Sequence, residues 1–454
     1  MAIDPDALDR TEKLALDTGD ARSPEEAAAQ FRRYVLQVDV AALGTAADEA
    51  AFATIINTAP RAFKGGVHVR LADDPTLEHG WLAGQRASQA LATYGCEQVA
   101  TLSDDYPTLL LGRSRSEWPT KSPTLQLTYT LWSGGVLSQP HQALPAKDAT
   151  SPAAGVLAAA IGVSEAFQLI RNNVQACRRD VGLSLWRPDL DWRDPSSWGP
   201  PTTGLLFPSR MHLVGLGHLG QAYLWTLGWM PFPDYGEIEL LLQDVDRLVQ
   251  ANHATSLLAS SDDLRLMKTR VLAARAEELG FGTRILERRL DETQLVGFDD
   301  PRIALIGVDN LPTRAMIGRP GWSFTVDAGL GGEAGNYLDV HVNTFPSSRT
   351  PEEKWGDQHG RFDQSLLSQP AYAEMERRIG DPCGVITIAG KAIASSFVGA
   401  FASALVVGEL ARYYADDAEH YEFVNASLLN LRGTKVARNA VINEAENLGY
   451  VTLL

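Results

Sequence analysis

Cysteine is scarce: Cys96, Cys177 and Cys383 are the only three in 454 residues. Three thiols cannot staple a chain of this size, and they point to a reducing compartment. No Cys-x-x-Cys pair occurs, which argues against a thiolate zinc site. Positive charge is also short, with 40 Lys and Arg against 56 Asp and Glu and a net charge of −16. Bulk attraction to nucleic acid or to an anionic membrane is thereby excluded as a basis for function, and no nucleic-acid or membrane partner is expected. The opening MAIDPDALDRTEKLALDTGD is acidic and has no apolar core, unlike a signal peptide. The most membrane-like run, Ile393 to Leu410, is rich in Ser, Gly and Ala and is interrupted by Glu409. The expectation is a buried helix packed through small side chains, in a soluble cytoplasmic protein. Fixed-period repeats are missing too. The one echo is a pair of apolar small-residue helices, 152–170 and 393–411, which hints at a duplicated architecture.

What is present is ordinary globular composition, 45% hydrophobic and 21% charged. The length allows roughly three domain-sized units or two large ones. Residues 1–45 read as helical, with Ser23 as N-cap before Pro24. Short strand-like runs follow at Val67–Leu71, Thr108–Gly112 and Leu125–Leu131, then an apolar helix at 152–170. Together they indicate an α/β layer. Residues 186–210 hold five prolines and three tryptophans. Such a stretch excludes a long helix or a central strand and reads as a connector pinned by its tryptophans. Beyond it, strands at 211–214, 237–243, 284–290 and 302–307 alternate with helices at 221–228 and 262–280, a doubly wound parallel pattern. A polar, loop-like region at 345–382 follows, then Cys383 and an apolar helix at 390–413. A loop of that length inside a compact domain is usually functional.

Gly215-Leu-Gly217-His-Leu-Gly220 fits G-x-G-x-x-G directly after an apolar strand. Its glycines permit a tight turn and close approach of backbone N–H groups to phosphate at a helix N-terminus. Asp244, 24 residues beyond Gly220, ends the next strand, where a carboxylate can grip a ribose hydroxyl. This much suits a nicotinamide or flavin dehydrogenase equally well. The remaining residues separate the readings. Asp244-Val-Asp246 leads to Asn252 and Thr255, Lys268 opens a helix, and Asp309-Asn310 with Arg314 follows the strand Ile303–Ile306. A Lys, an Asn and a second strand-end Asp converging on one crevice suit a triphosphate with magnesium.

In these segments the chain resembles the ThiF/MoeB/HesA superfamily, the adenylating domain of ubiquitin-activating enzymes. The resemblance rests on the glycine turn, the Asp244–Asn252 segment, Lys268 and the Asp309–Arg314 segment, in order over about 211–320. Cys383-Gly-Val-Ile-Thr-Ile-Ala-Gly390 and the Phe397-Val-Gly399 helix look like the family's C-terminal part. The resemblance implies a Rossmann-like adenylation domain over 211–454 with a crossover loop at 345–382. It implies that Gly215, Gly217 and Gly220 form the nucleotide turn, Asp244 binds ribose, Asn252 and Lys268 hold phosphates, and Asp309 holds Mg²⁺ with Asn310 and Arg314 nearby. It further implies ATP as the nucleotide, Lys268 and Asp309 in catalysis, and the C-terminal glycine of a ubiquitin-like protein as the attacking carboxylate. One departure stands out: the family often carries an Arg in the segment where this chain has Asn252-His-Ala-Thr255-Ser256. Either Arg265, Arg270 or an Arg from another half or subunit replaces it, or activity is compromised.

Cys383 is the one cysteine of the second half, and it stands near a probable helix N-terminus after the polar loop. It is the candidate nucleophile for a thioester, or else a structural residue; Cys96 and Cys177 read as ordinary. The first half, 1–185, lacks the glycine motif. It is expected to be an inactive adenylation-like copy forming an intrachain pseudodimer, with Arg32 and Arg33 as candidates to reach the nucleotide; the rival for this half is an unrelated recruitment domain, and the alternative assembly is a homodimer. The whole is expected to work in a bacterial ubiquitin-like conjugation pathway with a conjugating enzyme as partner, similar by analogy to antiphage defence components. Three other readings stand beside it: a sulfur-carrier adenylyltransferase without thioester, a nicotinamide-dinucleotide oxidoreductase, and a non-catalytic nucleotide-binding scaffold.

Overall fold

The computed structural model describes residues 6, 8–112, 121–139, 143–357, 364–379, 382–415, 417–441 and 448–454. The first half runs α1 (Lys13–Asp17), α2 (Pro24–Phe31), β1 (Val35–Val40), α3 (Ala46–Ala62), β2 (Gly66–Leu71), α4 (Ala87–Thr93), β3 (Glu97–Gln98), β4 (Thr108–Leu111), β5 (Thr124–Thr130), β6 (Ser133–Leu137), α5 (Pro152–Ile170) and β7 (Val181–Ser184). The connector contributes β8 (Leu206–Pro208). The second half begins β9 (Arg210–Val214), α6 (His218–Leu227), β10 (Glu239–Gln243), α7 (Lys268–Glu278), β11 (Gly282–Leu286), β12 (Ile303–Ile306), α8 (Leu311–Ala315), β13 (Phe324–Leu330) and β14 (Asp339–Phe345). It closes with α9 (Pro351–Trp355), α10 (Pro370–Ile379), α11 (Pro382–Ala389), α12 (Ser396–Arg412), β15 (Tyr421–Ser427), β16 (Lys435–Arg438) and β17 (Tyr450–Thr452).

Both sheets are wound the same way. The first is ordered β3-β2-β1-β4-β5-β6-β7 and the second β11-β10-β9-β12-β13-β14-β15-β16. In each, the first five strands pair in parallel and the later ones turn antiparallel. The repeat extends to single hydrogen bonds. In the first half Leu77 N–H donates to Gln85 O and Ala87 N–H to Pro75 O; in the second, Leu248 N–H donates to Leu266 O and Lys268 N–H to Asp246 O. Gly84 and Arg265, at the matching turn, both have left-handed backbone, with φ of 82° and 71°. Ala87 thus stands where the second half has Lys268.

The helices α3, α5, α6 and α12 pack together as the common core of the two halves. Small residues allow it: a Cβ on Gly155 of α5 would lie 2.2 Å from Ala47 O at the start of α3, and one on Gly399 of α12 would lie 2.4 Å from His218 Nε2 at the start of α6. Cross-half bonds add specificity, among them Trp225 Nε1–H to Thr54 Oγ1 at 3.0 Å and Ser396 Oγ–H to Thr58 O at 3.0 Å. Helix α5 is, among the described residues, the one helix long and apolar enough to cross a membrane, and it is buried in this core.

Four expectations change. The helical stretch 1–45 contains a central strand, β1, whose six residues are all buried. The loop 345–382 includes α9, a 3₁₀ turn at 364–368 and α10, with 358–363 and 380–381 outside the described residues. The last apolar helix starts at Ser396 rather than 390. The helix expected over 262–280 is confined to α7, 268–278, after a 3₁₀ turn at 261–263. The connector is held down: Trp186 and Trp192 are buried, the Trp192 ring lies against Gly182 of β7, and β8 pairs with β17.

Candidate active site

A cavity of about 770 Å³ opens at the carboxyl ends of β9, β10 and β12. This is the crevice where an open α/β sheet binds ligands. The turn from β9 into α6 forms its floor. Gly215 has φ +84°, and a Cβ on it would lie 2.9 Å from Gly307 C, so the turn fits closely against the end of β12. A Cβ on Gly220 would lie 2.2 Å from Gly215 O. Gly220→Ala should therefore lower the unfolding free energy by about 2 kcal/mol or more, read from the denaturant midpoint. Gly217 differs: a Cβ there would meet nothing within 4 Å. It faces the open cavity, and as N-cap of α6 it leaves that helix end with no side-chain cap. Uncapped N–H groups at a helix start form an anion site.

The matching turn of the first half is closed. Ala41-Ala-Leu-Gly44 replaces the glycine motif, and Thr45 with Asp48 caps α3 in a reciprocal box. The Asp48 carboxylate accepts from the N–H groups of Gly44 and Thr45, both at 3.1 Å, and from the Tyr129 hydroxyl. A side-chain anion thus already sits at that helix end.

Asp244, at the end of β10, is fixed by two backbone donors. Its Oδ2 accepts from Leu216 N–H and its Oδ1 from Asp246 N–H, both at 2.7 Å. Lys268, mostly buried at the start of α7, has Nζ 3.0 Å from Asp246 Oδ2 and 4.0 Å from Asp244 Oδ2. Asn252 lines the cavity, with its Oδ1 engaged by Val249 N–H at 2.9 Å. Its turn is braced from both sides. Asn57 of α3 donates to Leu257 O at 2.8 Å and Arg61 of α3 donates to His253 O, while Gln221 of α6 bonds Ser256 Oγ at 3.0 Å. Asp309 is exposed on the opposite wall. Asn310 caps α8, its Oδ1 accepting from Thr313 N–H at 2.9 Å.

Arg314 lines the cavity but is bound into the fold. Its Nε donates to Val308 O at 3.1 Å and its Nη2 to Ala328 O at 2.6 Å, and Nε lies 3.5 Å from the buried Asp327 carboxylate. Burial pushes the Asp327 carboxyl up, against the pull of Arg314. Arg314 therefore holds the β12–α8 loop rather than presenting a free guanidinium.

Arginines considered as replacements at Thr255 lie elsewhere. Arg270 pairs with the Glu287 carboxylate at 2.8 Å on the surface, and Arg265, Arg32 and Arg33 are exposed and off the cavity wall. The structure brings in Arg10 instead, from the N-terminal segment of the first half. Its Nη1 is buried with no hydrogen-bond partner among the described residues. Desolvation lowers its pKa, while Asp6, Asp309 and Asp9 raise it. Lys391, Arg288 and Arg289 complete the wall. Six cations line the cavity beside the carboxylates of Asp244, Asp246 and Asp309, and three of them, Arg314, Arg288 and Lys391, are paired with Asp327, Asp291 and Asp6. Positive charge facing the cavity therefore comes from Arg10, Lys268 and Arg289, which suits a polyanion. His218 adds none, because burial lowers its pKa to about 4.

Cys383 is exposed at the second position of α11 and does not line the cavity. Gly390, just past the other end of α11, does. Cys383 thus stands about 10 Å along the helix axis from Gly390. Cys96 and Cys177 are buried, and burial pushes the Cys96 thiol up to about 12. For a divalent cation, no cluster of three His, Cys, Asp or Glu is placed to hold one among the described residues. An ion at Asp309 would take one protein carboxylate and otherwise phosphate oxygens and water, the manner in which Mg²⁺ is bound.

A doubly wound sheet with this cavity at an uncapped helix end is the arrangement of a nucleotide-binding protein, and sequence comparison narrows the class to E1-like proteins. Residues 207–417 match the BilD C-terminal domain and residues 33–185 the BilD N-terminal domain. The "Bacterial E1-like protein BilD" of Collimonas sp. (strain OK412) is 33% identical over 435 residues, spanning 95% of this chain and 94% of its own. The chain belongs to the BilD family of bacterial E1-like proteins. Among solved structures, E. coli MccB is similar over 52% of this chain and 64% of its own, at 13% identity and a TM-score of 0.35. The same protein with ATP is similar over 61% of this chain and 78% of its own, at 11% identity and a TM-score of 0.35.

Proposed function

We propose that this protein activates the C-terminus of a ubiquitin-like protein with ATP in the cavity of the second half. The observation that carries this is the pairing of an uncapped α6 behind Gly217 with Arg10, Lys268 and Arg289 on the cavity wall, against a first-half turn already stoppered by Asp48. In this reading Asp244 accepts from the ribose hydroxyls, the α6 N–H groups and Asn252 face the phosphates, and Lys268 and Arg10 balance their charge. Asp309 holds Mg²⁺, which neutralises phosphate charge when bound. A substrate carboxylate attacks the α-phosphorus, the bond to the bridging oxygen breaks, and pyrophosphate leaves. Lys268, fixed in place, stabilises the charge that develops. The first half is an inactive copy of the same unit in an intrachain pseudodimer, and it supplies Arg10. ATP–pyrophosphate exchange with a ubiquitin-like protein ending in glycine tests the reading. Exchange should require Lys268 and Asp309; exchange that survives Asp309→Ala and Lys268→Ala would remove the chemistry from this cavity.

Cys383 is the acceptor for the second step in this proposal. Its thiolate attacks the acyl carbon of the adenylate, a thioester forms, and AMP leaves. The product then passes to a conjugating enzyme in the cytoplasm. Because Cys383 does not line the cavity, the acyl group or α11 has to move for this transfer. Cys383→Ala should abolish the reducible adduct on a non-reducing gel while pyrophosphate exchange stays within about twofold, since the thiol is outside the cavity. Exchange without any reducible adduct on the unmodified chain would favour a sulfur-carrier adenylyltransferase.

A further inference from the structure

The N-terminal segment crosses the mouth of the cavity as a strap. Asp6 O accepts from Ala251 N–H at 2.7 Å, and Asp6 Oδ1 lies 3.4 Å from Lys391 Nζ. Arg10 O accepts from Ala394 N–H at 3.2 Å, and Thr11 Oγ1–H donates to Ala394 O at 2.9 Å. Asp9 pairs with Lys64 at 3.1 Å. Arg10 is therefore held at its backbone, while its guanidinium points its unpartnered Nη1 into a buried place. A side chain this long has several rotatable bonds, so its aim depends on how firmly its segment is seated.

Immediately after Arg10 the strap becomes α1, and here the fold spends three buried polar groups. Lys13 Nζ donates to both Asp17 oxygens, at 2.7 and 2.5 Å, and all but 1% of the Lys13 surface is buried. The hydroxyl of Tyr372, fully buried on α10, donates to Asp17 Oδ1, and Lys13 Nζ lies 5.8 Å from the Tyr372 ring centre. A buried ion pair gains little net stability, because desolvation offsets the attraction. Its geometric effect is larger: it fixes one register of α1 on α10. A one-turn helix could not hold a register by its own hydrogen bonds.

We infer that Tyr372, Asp17 and Lys13 form a positioning unit that seats α1 on α10 and thereby aims Arg10 at the triphosphate in the cavity. The inference rests on the nucleotide reading of the cavity given above. None of the three touches the cavity wall; they act through Arg10.

Calorimetric titration of Mg-ATP into the full chain tests this, with Lys268→Ala as the reference for the cavity itself. Arg10→Ala should weaken binding, and Tyr372→Phe, which keeps the ring and removes one hydroxyl, should weaken it about tenfold, the lower end for an outer-shell partner. In the Arg10→Ala background Tyr372→Phe should add nothing, because its effect passes through that side chain. The thermal midpoint should fall by the same amount in both backgrounds, so a merely structural role would not give this pattern. Asp17→Asn, the second arm, leaves the buried Lys13 ammonium without its partner and should lower the thermal midpoint further, while its effect on binding should likewise vanish in the Arg10→Ala background. Equal losses from Tyr372→Phe with and without Arg10, or unchanged affinity in Tyr372→Phe while Arg10→Ala weakens binding, overturn the inference alone. Wild-type affinity in Lys268→Ala overturns the cavity reading beneath it. Wild-type affinity in Arg10→Ala with loss in Lys268→Ala overturns the role of Arg10 and this inference with it.

Discussion

Lys268→Ala should lose about 10²–10³-fold in ATP–pyrophosphate exchange, the usual cost of removing one preorganised group that stabilises transition-state charge. The local geometry makes this variant informative. Lys268 is mostly buried, and its ammonium is poised between Asp246 at 3.0 Å and Asp244 at 4.0 Å. A phosphate oxygen entering the cavity offers a stronger partner than the exposed Asp246 carboxylate. Folding should suffer little, because Asp246 is open to water and Asp244 retains two backbone donors. An alanine already occupies the matching position, Ala87, in the first half, where α4 forms without it. Circular dichroism and the thermal midpoint should match wild type while exchange collapses. Exchange within about threefold of wild type would show that this ammonium does not face the reacting phosphate.

Gly217→Val should abolish Mg-ATP binding, by at least about 10²-fold in affinity, at a smaller cost in stability than Gly220→Ala. A Cβ there meets no protein atom within 4 Å, so the fold leaves room for a side chain. The added methyls enter the space over the start of α6, where a phosphate would sit. Displacing a charged group from several N–H donors removes charge-assisted bonds of about 1.5–3 kcal/mol each. The contrast with Gly220→Ala is the control. There the clash is with Gly215 O inside the turn, so the fold weakens first. Two glycines of one motif should thus fail in different ways, one in binding and one in stability.

Much of this was legible in the sequence of the second half. The glycine turn, Asp244, Asn252, Lys268, Asp309 and Arg314 meet at one cavity because each stands at the carboxyl end of a parallel strand or in the connection that leads from it into the next helix. Spacing along alternating strands and helices carries that information. The role of Arg314 was less legible: its bonds to Val308 O, Ala328 O and Asp327 depend on β13, which the local segment does not encode. Arg10 was not legible at all. It meets Asp309 and Ala394 across some 300 to 380 residues, and nothing around it forms a motif. Strand β1 was hidden because VLQVDV follows directly on the helix-forming PEEAAAQFRRY, and a fully buried parallel strand shows no alternation. In 345–382 α9 is little more than one turn, and α10 carries its apolar stripe, Ala371, Tyr372 and Met375, inside a polar stretch, with Tyr372 buried against α1.

The repeat of strand order between the halves has a functional consequence in this account. Two copies of one unit bury α3, α5, α6 and α12 together, and only the second keeps an open helix end and a lysine. The first is freed to act on the other, bracing the Asn252 turn through Asn57 and Arg61 and delivering Arg10.

The most direct measurement is the stoichiometry and residue dependence of Mg-ATP binding to the full chain by titration calorimetry. The account requires one site per chain, lost in Gly217→Val and retained when the first-half turn is altered by Thr45→Ala. Two sites per chain, or a single site that survives Gly217→Val, would contradict it.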